Sequence, residues 1–216
     1  MTMTLRWSRR RAAAWLGAVA LGGAGPLAGC DSGGPSERKA AAKPSFKSID
    51  ITGAEYARSL SLSDADGQPR TLADFKGKVL VVFFGYTQCP DVCPTTMAEL
   101  AEVKRSLGAD GARVQGIFVT VDPQRDTAPL LKAYLANFGP DITGLRGSPD
   151  ATLAAAKEFK VFFAKVPGKT DTSYTVDHTA GAYVFDALGR VRLFTRYGSG
   201  AQALADDLKL LLAETG

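Results

Sequence analysis

Three side chains of this chain stand out for the chemistry they offer. Cys89 and Cys93, in the string Cys89-Pro90-Asp91-Val92-Cys93-Pro94, are separated by three residues and follow the apolar run Val79-Leu80-Val81-Val82-Phe83-Phe84. The chain contains a single histidine, His178. Thiolates are soft ligands that select Cu(I), and imidazole suits copper as well. Two sulfurs and one imidazole therefore read as a copper site.

Other uses of the cysteine pair have to be weighed. A disulfide between residues this close removes little loop entropy, so a purely structural bridge is disfavoured. A structural zinc site takes four protein ligands, and only three good ones are available. A redox-active, catalytic dithiol stays open beside metal binding. On a regular helix, side chains four residues apart have Cβ atoms roughly 5–6 Å from one another, whereas an unstrained disulfide wants about 3.8 Å. The two prolines disfavour a regular helix here, so a disulfide can close, and the spacing also leaves room for an ion between the sulfurs. Cys93, just before Pro94, is expected at a helix N-terminus, where unpaired N–H groups lower a thiol pKa. Cys89 is expected further out, in the loop.

His178 lies in Val176-Asp177-His178-Thr179. From the residues alone, a ligand and a solitary surface histidine are equally good readings. Asp177 is a candidate to orient the ring through a hydrogen bond, or simply an exposed acid. Val121-Asp122-Pro123-Gln124-Arg125-Asp126-Thr127 ends an apolar run that reads as a strand. Ligands of open α/β sheets sit beyond strand C-termini, so Asp122 and Arg125 are candidates to shape the mouth of the site. Asp126 or Thr127 reads as a helix N-cap. Phe83, Phe84, Tyr86, Phe162 and Phe163 are expected to be core or to screen the site from water.

The elements that must position these groups alternate between strand and helix. Ala54 to Ser63 and Arg70 to Leu72 flank Asp64-Ala65-Asp66-Gly67 as a hairpin. Lys78 to Tyr86 and Arg113 to Val121 read as strands buried on both faces. Helices are expected over Pro94 to Leu107, from Thr127 through Phe138, from Ser148-Pro149 through Phe159, and over Ala201 to Glu214. Ile142 to Leu145 is a short strand. Val161 to Val166 is apolar and Pro167 to Asp171 a loop. Ala180 to Asp186 and Val191 to Tyr197 form a second hairpin. The fold class is α/β, and a cysteine pair between the first central strand and a helix is the thioredoxin arrangement, here with three intervening residues instead of two.

The chain has 216 residues, with 26 Lys+Arg against 22 Asp+Glu. Residues 1–29 hold Arg6, Arg9, Arg10 and Arg11 and no acid, then an Ala/Gly/Leu-rich stretch ending in Leu27-Ala28-Gly29-Cys30. That is the layout of a secretory signal. The Leu-Ala-Gly-Cys ending resembles a bacterial lipobox, with Cys30 acylated. Without this segment, acids and bases balance, and nothing points to nucleic acid. The expected organisation is a signal peptide over 1–29, a flexible tether over 30–46 carrying lipidated Cys30, and one domain over 47–216. Outside the cytosol, an unprotected cysteine pair would oxidise unless a reductant or a metal held it.

Four strings carry a family resemblance. They are Asp74-Phe75-Lys76-Gly77-Lys78, Phe84-Gly85-Tyr86-Thr87-Gln88-Cys89-Pro90-Asp91-Val92-Cys93-Pro94-Thr95-Thr96, Val121 to Thr127, and Val176-Asp177-His178-Thr179. Over about residues 48 to 212 the chain resembles the Sco/SenC family, copper-binding proteins that assist cytochrome c oxidase assembly. The resemblance implies a thioredoxin-like fold: a central mixed β-sheet flanked by helices, an N-terminal hairpin and an inserted loop carrying the histidine. It implies one copper, Cu(I) or Cu(II), held by Cys89, Cys93 and His178. It implies delivery to the copper-centre subunit of the oxidase, with an upstream copper donor or thiol reductant as a further partner. With the lipobox, it places the domain on the bacterial inner membrane, facing the periplasm. The alternative activity is thiol–disulfide exchange, in which Cys89 and Cys93 reduce the acceptor's cysteines. A thiol peroxidase on the same scaffold would not need the histidine.

Overall fold

A computed structural model describes residues 45–170 and 173–214. The expected signal, Cys30 and nearly all of the tether lie outside the described residues. In chain order the strands are β1 (Ile49–Asp50), β2 (Ser61–Asp64), β3 (Pro69–Thr71), β4 (Val79–Gly85), β5 (Val114–Thr120), β6 (Ile142–Arg146), β7 (Phe163–Pro167), β8 (Tyr174–His178), β9 (Gly181–Phe185) and β10 (Val191–Arg196). The α-helices are α1 (Val92–Ser106), α2 (Ala128–Ala136), α3 (Pro149–Glu158) and α4 (Ala201–Ala213). Eight strands form one mixed sheet in the order β1-β10-β9-β4-β5-β6-β2-β3, and β7 and β8 form a separate two-stranded sheet.

β4, β5 and β6 run parallel and side by side, with β9 antiparallel to β4. Every residue of β4 and β5 is buried, as expected of the apolar run of β4 and the largely apolar β5, which also buries Gln115 and Thr120. Parallel neighbours joined by crossovers of one hand place their helices on one face. A Cβ at Gly116 of β5 would meet Leu100 of α1, and one at Gly144 of β6 would meet Leu131 and Leu135 of α2. Helix α4 lies against α1. The other face receives Phe159, fully buried after α3, whose ring packs on Phe84, Tyr183 and Phe185. The result is the expected thioredoxin-like sandwich.

Both hairpins of the main sheet use the same turn. Asp64-Ala65-Asp66-Gly67 and Asp186-Ala187-Leu188-Gly189 each place a glycine at φ 80, a conformation that costs glycine nothing. The buried aspartate collects the backbone N–H groups of Asp66 and Gln68 in one turn, and of Leu188 and Arg190 in the other. It is also paired with an arginine, Arg70 of β3 or Arg190 just before β10. At the start of the domain, Asp207 of α4 is buried and accepts the N–H groups of Lys47 and Ser48 at 2.6 and 2.8 Å.

Three expectations change. The first hairpin strand is shorter than Ala54 to Ser63, because the chain turns at Ala57. That residue is buried, has φ 56, and donates its N–H to the Glu158 carbonyl at 2.8 Å. The histidine-bearing insertion is a β-hairpin instead of a loop, with Phe163 opposite His178 and Pro167 opposite Tyr174. Thr127 occupies the N-cap position of α2 without a side-chain hydrogen bond, and Asp126 is committed elsewhere.

Candidate metal centre

The site is built at the C-terminal end of β4. Gly85 closes the strand, and a Cβ there would lie 2.7 Å from both the Cys93 Sγ and a Phe83 ring carbon. The absent side chain is what lets the sulfur nest against the sheet. The following loop is tight, with the Cys89 N–H on the Tyr86 carbonyl at 3.2 Å. Helix α1 starts at Val92, two residues before the expected Pro94, so Cys93 lies in its first turn and Pro94 gives up an N–H that has no helical partner. Cys93 is fully buried and Cys89 half-buried, both as free thiols.

His178 ends β8 and turns back to this loop. Its Nε2 lies 3.4 Å from the Cys93 Sγ across 85 residues of sequence. The donor atoms of Cys89, Cys93 and His178 all lie within 4.8 Å of one another. The Nδ1 sits 3.1 Å from the Thr179 carbonyl. A carbonyl only accepts, so Nδ1 carries the proton and Nε2 turns its lone pair toward the sulfurs. Asp177 is exposed, so the hydrogen bond that fixes the ring comes from the main chain of Thr179. Phe83 and Tyr86 meet the imidazole edge-to-face at 5.8 and 5.9 Å. Phe162 is exposed, Phe163 half-buried opposite the histidine, and Phe84 packs on the other face of the sheet.

Burial governs the electrostatics. It pushes the Cys93 thiol far up, against a backbone hydrogen bond at Tyr86 that acts the other way. The lowered thiol pKa expected from the helix N-terminus is thus reversed, because desolvation outweighs the helix end. Burial also lowers the His178 pKa, against Thr179 and the charge of Asp177. Both shifts favour the uncharged thiol and imidazole; a cation would reverse the preference at sulfur. A shallow opening of about 300 Å³ between Cys89-Pro90-Asp91 and Val176-Asp177-His178 leads to the cluster.

The loop after β5 braces this arrangement. Asp126, fully buried, accepts the Thr87 N–H at 3.0 Å, the Thr87 hydroxyl at 2.6 Å and the Thr120 hydroxyl at 2.6 Å. Asp122, also buried, pairs with Arg125 and accepts the Tyr174 hydroxyl at 3.0 Å. Sequence reasoning gives Asp126 only as a helix N-cap and does not single out Thr87, Gly85 or Tyr174. The first three lie inside the quoted strings, so their position carried the signal. Tyr174 lies outside them and gave none.

The fold and its Cys/Cys/His cluster define a thioredoxin-like protein with a candidate three-ligand metal centre. The SCO1/SenC family model matches residues 50–213, and the chain belongs to that family. It is 40% identical over 139 residues to the mitochondrial SCO2 homologue of Mus musculus, covering 63% of this chain and 53% of that protein. The chain thus spans about half the length of such mammalian relatives. It is similar to copper-bound ScoI of Bradyrhizobium japonicum (41% identity, TM-score 0.65, 71% of this chain and 97% of that one). It is likewise similar to apo Sco1 of Thermus thermophilus (36% identity, TM-score 0.70, 79% and 99%).

Proposed function

We propose that this protein is a copper carrier. Cys89 Sγ, Cys93 Sγ and His178 Nε2 hold one copper and pass it to the copper-centre subunit of cytochrome c oxidase. The observation that carries this reading is the convergence of the three donor atoms within 4.8 Å beside the rings of Phe83 and Tyr86. Two thiolates suit Cu(I), and the added imidazole also accommodates Cu(II). The copper found in the similar ScoI of Bradyrhizobium japonicum supports the same cargo. Membership of the family supports the oxidase as destination. Leu27-Ala28-Gly29-Cys30 supports anchoring through an acylated Cys30 on the periplasmic face of a bacterial inner membrane.

The test is copper binding by the full chain, purified reduced in detergent. About one copper per chain is expected for this ligand set. Cys89→Ser or Cys93→Ser abolishes tight binding, and His178→Ala weakens Cu(II) most. Undiminished binding by the double cysteine variant overturns the reading.

A second reading is favoured by the half-buried Cys89 above the buried Cys93. In it, the Cys89 thiolate attacks an acceptor disulfide and Cys93 resolves the mixed disulfide. The acceptor gains two thiols and this protein a disulfide. His178→Ala leaves that activity nearly intact, which separates it from the carrier.

A further inference from the structure

We infer that Asp122, Arg125 and Tyr174 form a latch that sets how His178 meets the two sulfurs, which makes them positioning residues for the third ligand. The inference rests on the copper reading above. Its root is topological. The cysteines are fixed by β4 and α1, both part of the main sandwich. His178 belongs to the β7–β8 pair, which no ladder joins to the eight-stranded sheet among the described residues. An isolated two-stranded hairpin is marginal at best. The position of the imidazole must therefore be set by contacts other than sheet hydrogen bonds.

Besides the Phe83 and Tyr86 rings against the imidazole, those contacts converge on the loop after β5. Arg125 Nη1 donates to the Tyr174 carbonyl at 2.8 Å, and the guanidinium lies 3.6 Å from the centroid of the Tyr174 ring. The Tyr174 hydroxyl donates to Asp122 Oδ1 at 3.0 Å, while the other oxygen of Asp122 pairs with Arg125 Nε. Nη1 of the same guanidinium reaches Gln88 Oε1 at 3.2 Å, one residue before Cys89. Beside it, Lys165 of β7 donates to Gln124 Oε1 at 2.6 Å. One arginine thus touches the cysteine loop and the histidine hairpin together.

The post on which it stands is firm. Arg146 of β6 donates to the Asp126 and Pro123 carbonyls at 3.2 and 3.1 Å. The Asp126 N–H closes on the Asp122 carbonyl at 2.9 Å, and Asp122 is 1% exposed. Guanidinium suits this place because its planar face stacks on the ring while its fixed fork of N–H groups reaches several acceptors, a geometry the point charge of an ammonium does not supply.

The experiment compares wild type, His178→Ala, Arg125→Met and the double variant as full-length protein in detergent. Cu(II) and Cu(I) affinities, the Cu(II) EPR spectrum and amide hydrogen exchange of the metal-free protein are measured. Arg125→Met is expected to lose about 10–100-fold in Cu(II) affinity, the usual effect of removing a group that orients a ligand. Its EPR spectrum shifts toward that of His178→Ala, and exchange across residues 174–178 quickens. Cu(I) binding by the dithiolate stays within about threefold of wild type, since it does not need the imidazole. The double variant is no worse than His178→Ala. Tyr174→Phe, which removes one hydroxyl and keeps the stacked ring, gives a smaller shift in the same direction and serves if Arg125→Met does not fold. Wild-type spectrum, Cu(II) affinity and exchange in Arg125→Met or, where that chain is unfolded, in Tyr174→Phe overturn the latch. So does an Arg125→Met loss that adds to that of His178→Ala. Failure of wild type to bind copper overturns the copper reading instead, and the inference with it.

Discussion

The carboxylate of Asp126 clasps Thr87 twice, taking its N–H at 3.0 Å and its hydroxyl at 2.6 Å. This joins the loop after β5 to the loop that leads into the cysteines. A third bond, from the buried Thr120 hydroxyl, completes the set around the fully buried carboxylate. Removing the acceptor strands three donors, each costing roughly 1–3 kcal/mol when unpaired and buried. Asp126→Ala should lose about 3 kcal/mol of stability in urea denaturation, and Asp126→Asn less, because it keeps one acceptor oxygen. A loss below about 1 kcal/mol would mean that the clasp is dispensable.

Gly85 offers a steric test of the site. A methyl group there collides with the Cys93 sulfur and with Phe83. Overpacking of this kind costs typically about 1–3 kcal/mol. Gly85→Ala should destabilise the metal-free protein by that order and lower its copper stoichiometry. Full copper loading in Gly85→Ala would show that Cys93 has room to move.

Acid sensitivity should arise partly at Asp186. Burial by itself opposes its ionisation. Hydrogen bonds from the Arg190 side chain and N–H, the charge of Arg190 and a hydrogen bond from Arg192 outweigh that, so its pKa falls below the ordinary 3.8. A carboxyl group that is more acidic folded than unfolded stabilises the fold while ionised. That contribution is present above the unfolded pKa and disappears as pH falls through the folded one. The stability gap between wild type and Asp186→Asn should be widest near neutrality and shrink below the ordinary value. A gap independent of pH would contradict this account.

Phe159 gives the control on the opposite face of the sheet. Its ring is fully buried against Phe84, Tyr183 and Phe185. Phe159→Ala should cost about 3–5 kcal/mol while the folded fraction keeps its copper stoichiometry, as read by metal analysis after gel filtration. Loss of metal in a fully folded variant would show that the two faces are coupled.

The parts of this fold that sequence revealed are those where one residue pattern has one structural solution. The apolar runs of β4 and β5 could only be buried strands, and Ser148-Pro149 did open α3, with the Ser148 hydroxyl accepting the Ala151 N–H at 3.1 Å. The β7–β8 hairpin was hidden because Thr175, Val176 and Asp177 show alternation too short to separate from a loop. Buried acids were hidden too. The burial of Asp122, Asp126 and Asp207 depends on partners from distant segments, Tyr174, Thr87 and Lys47. The three candidate ligands were legible by type and motif. The carbonyl that orients the histidine, at Thr179, belongs to the main chain, so residue identity could not announce it.

The two sulfurs are unequal: one is sealed against the glycine that ends β4, and the other stands at the rim of the opening. If the protein hands on an ion as proposed, an arriving thiol would meet the rim sulfur first. Handover would then have a built-in order, in which the outer bond is traded before the inner one and the ion leaves by the side from which the recipient came.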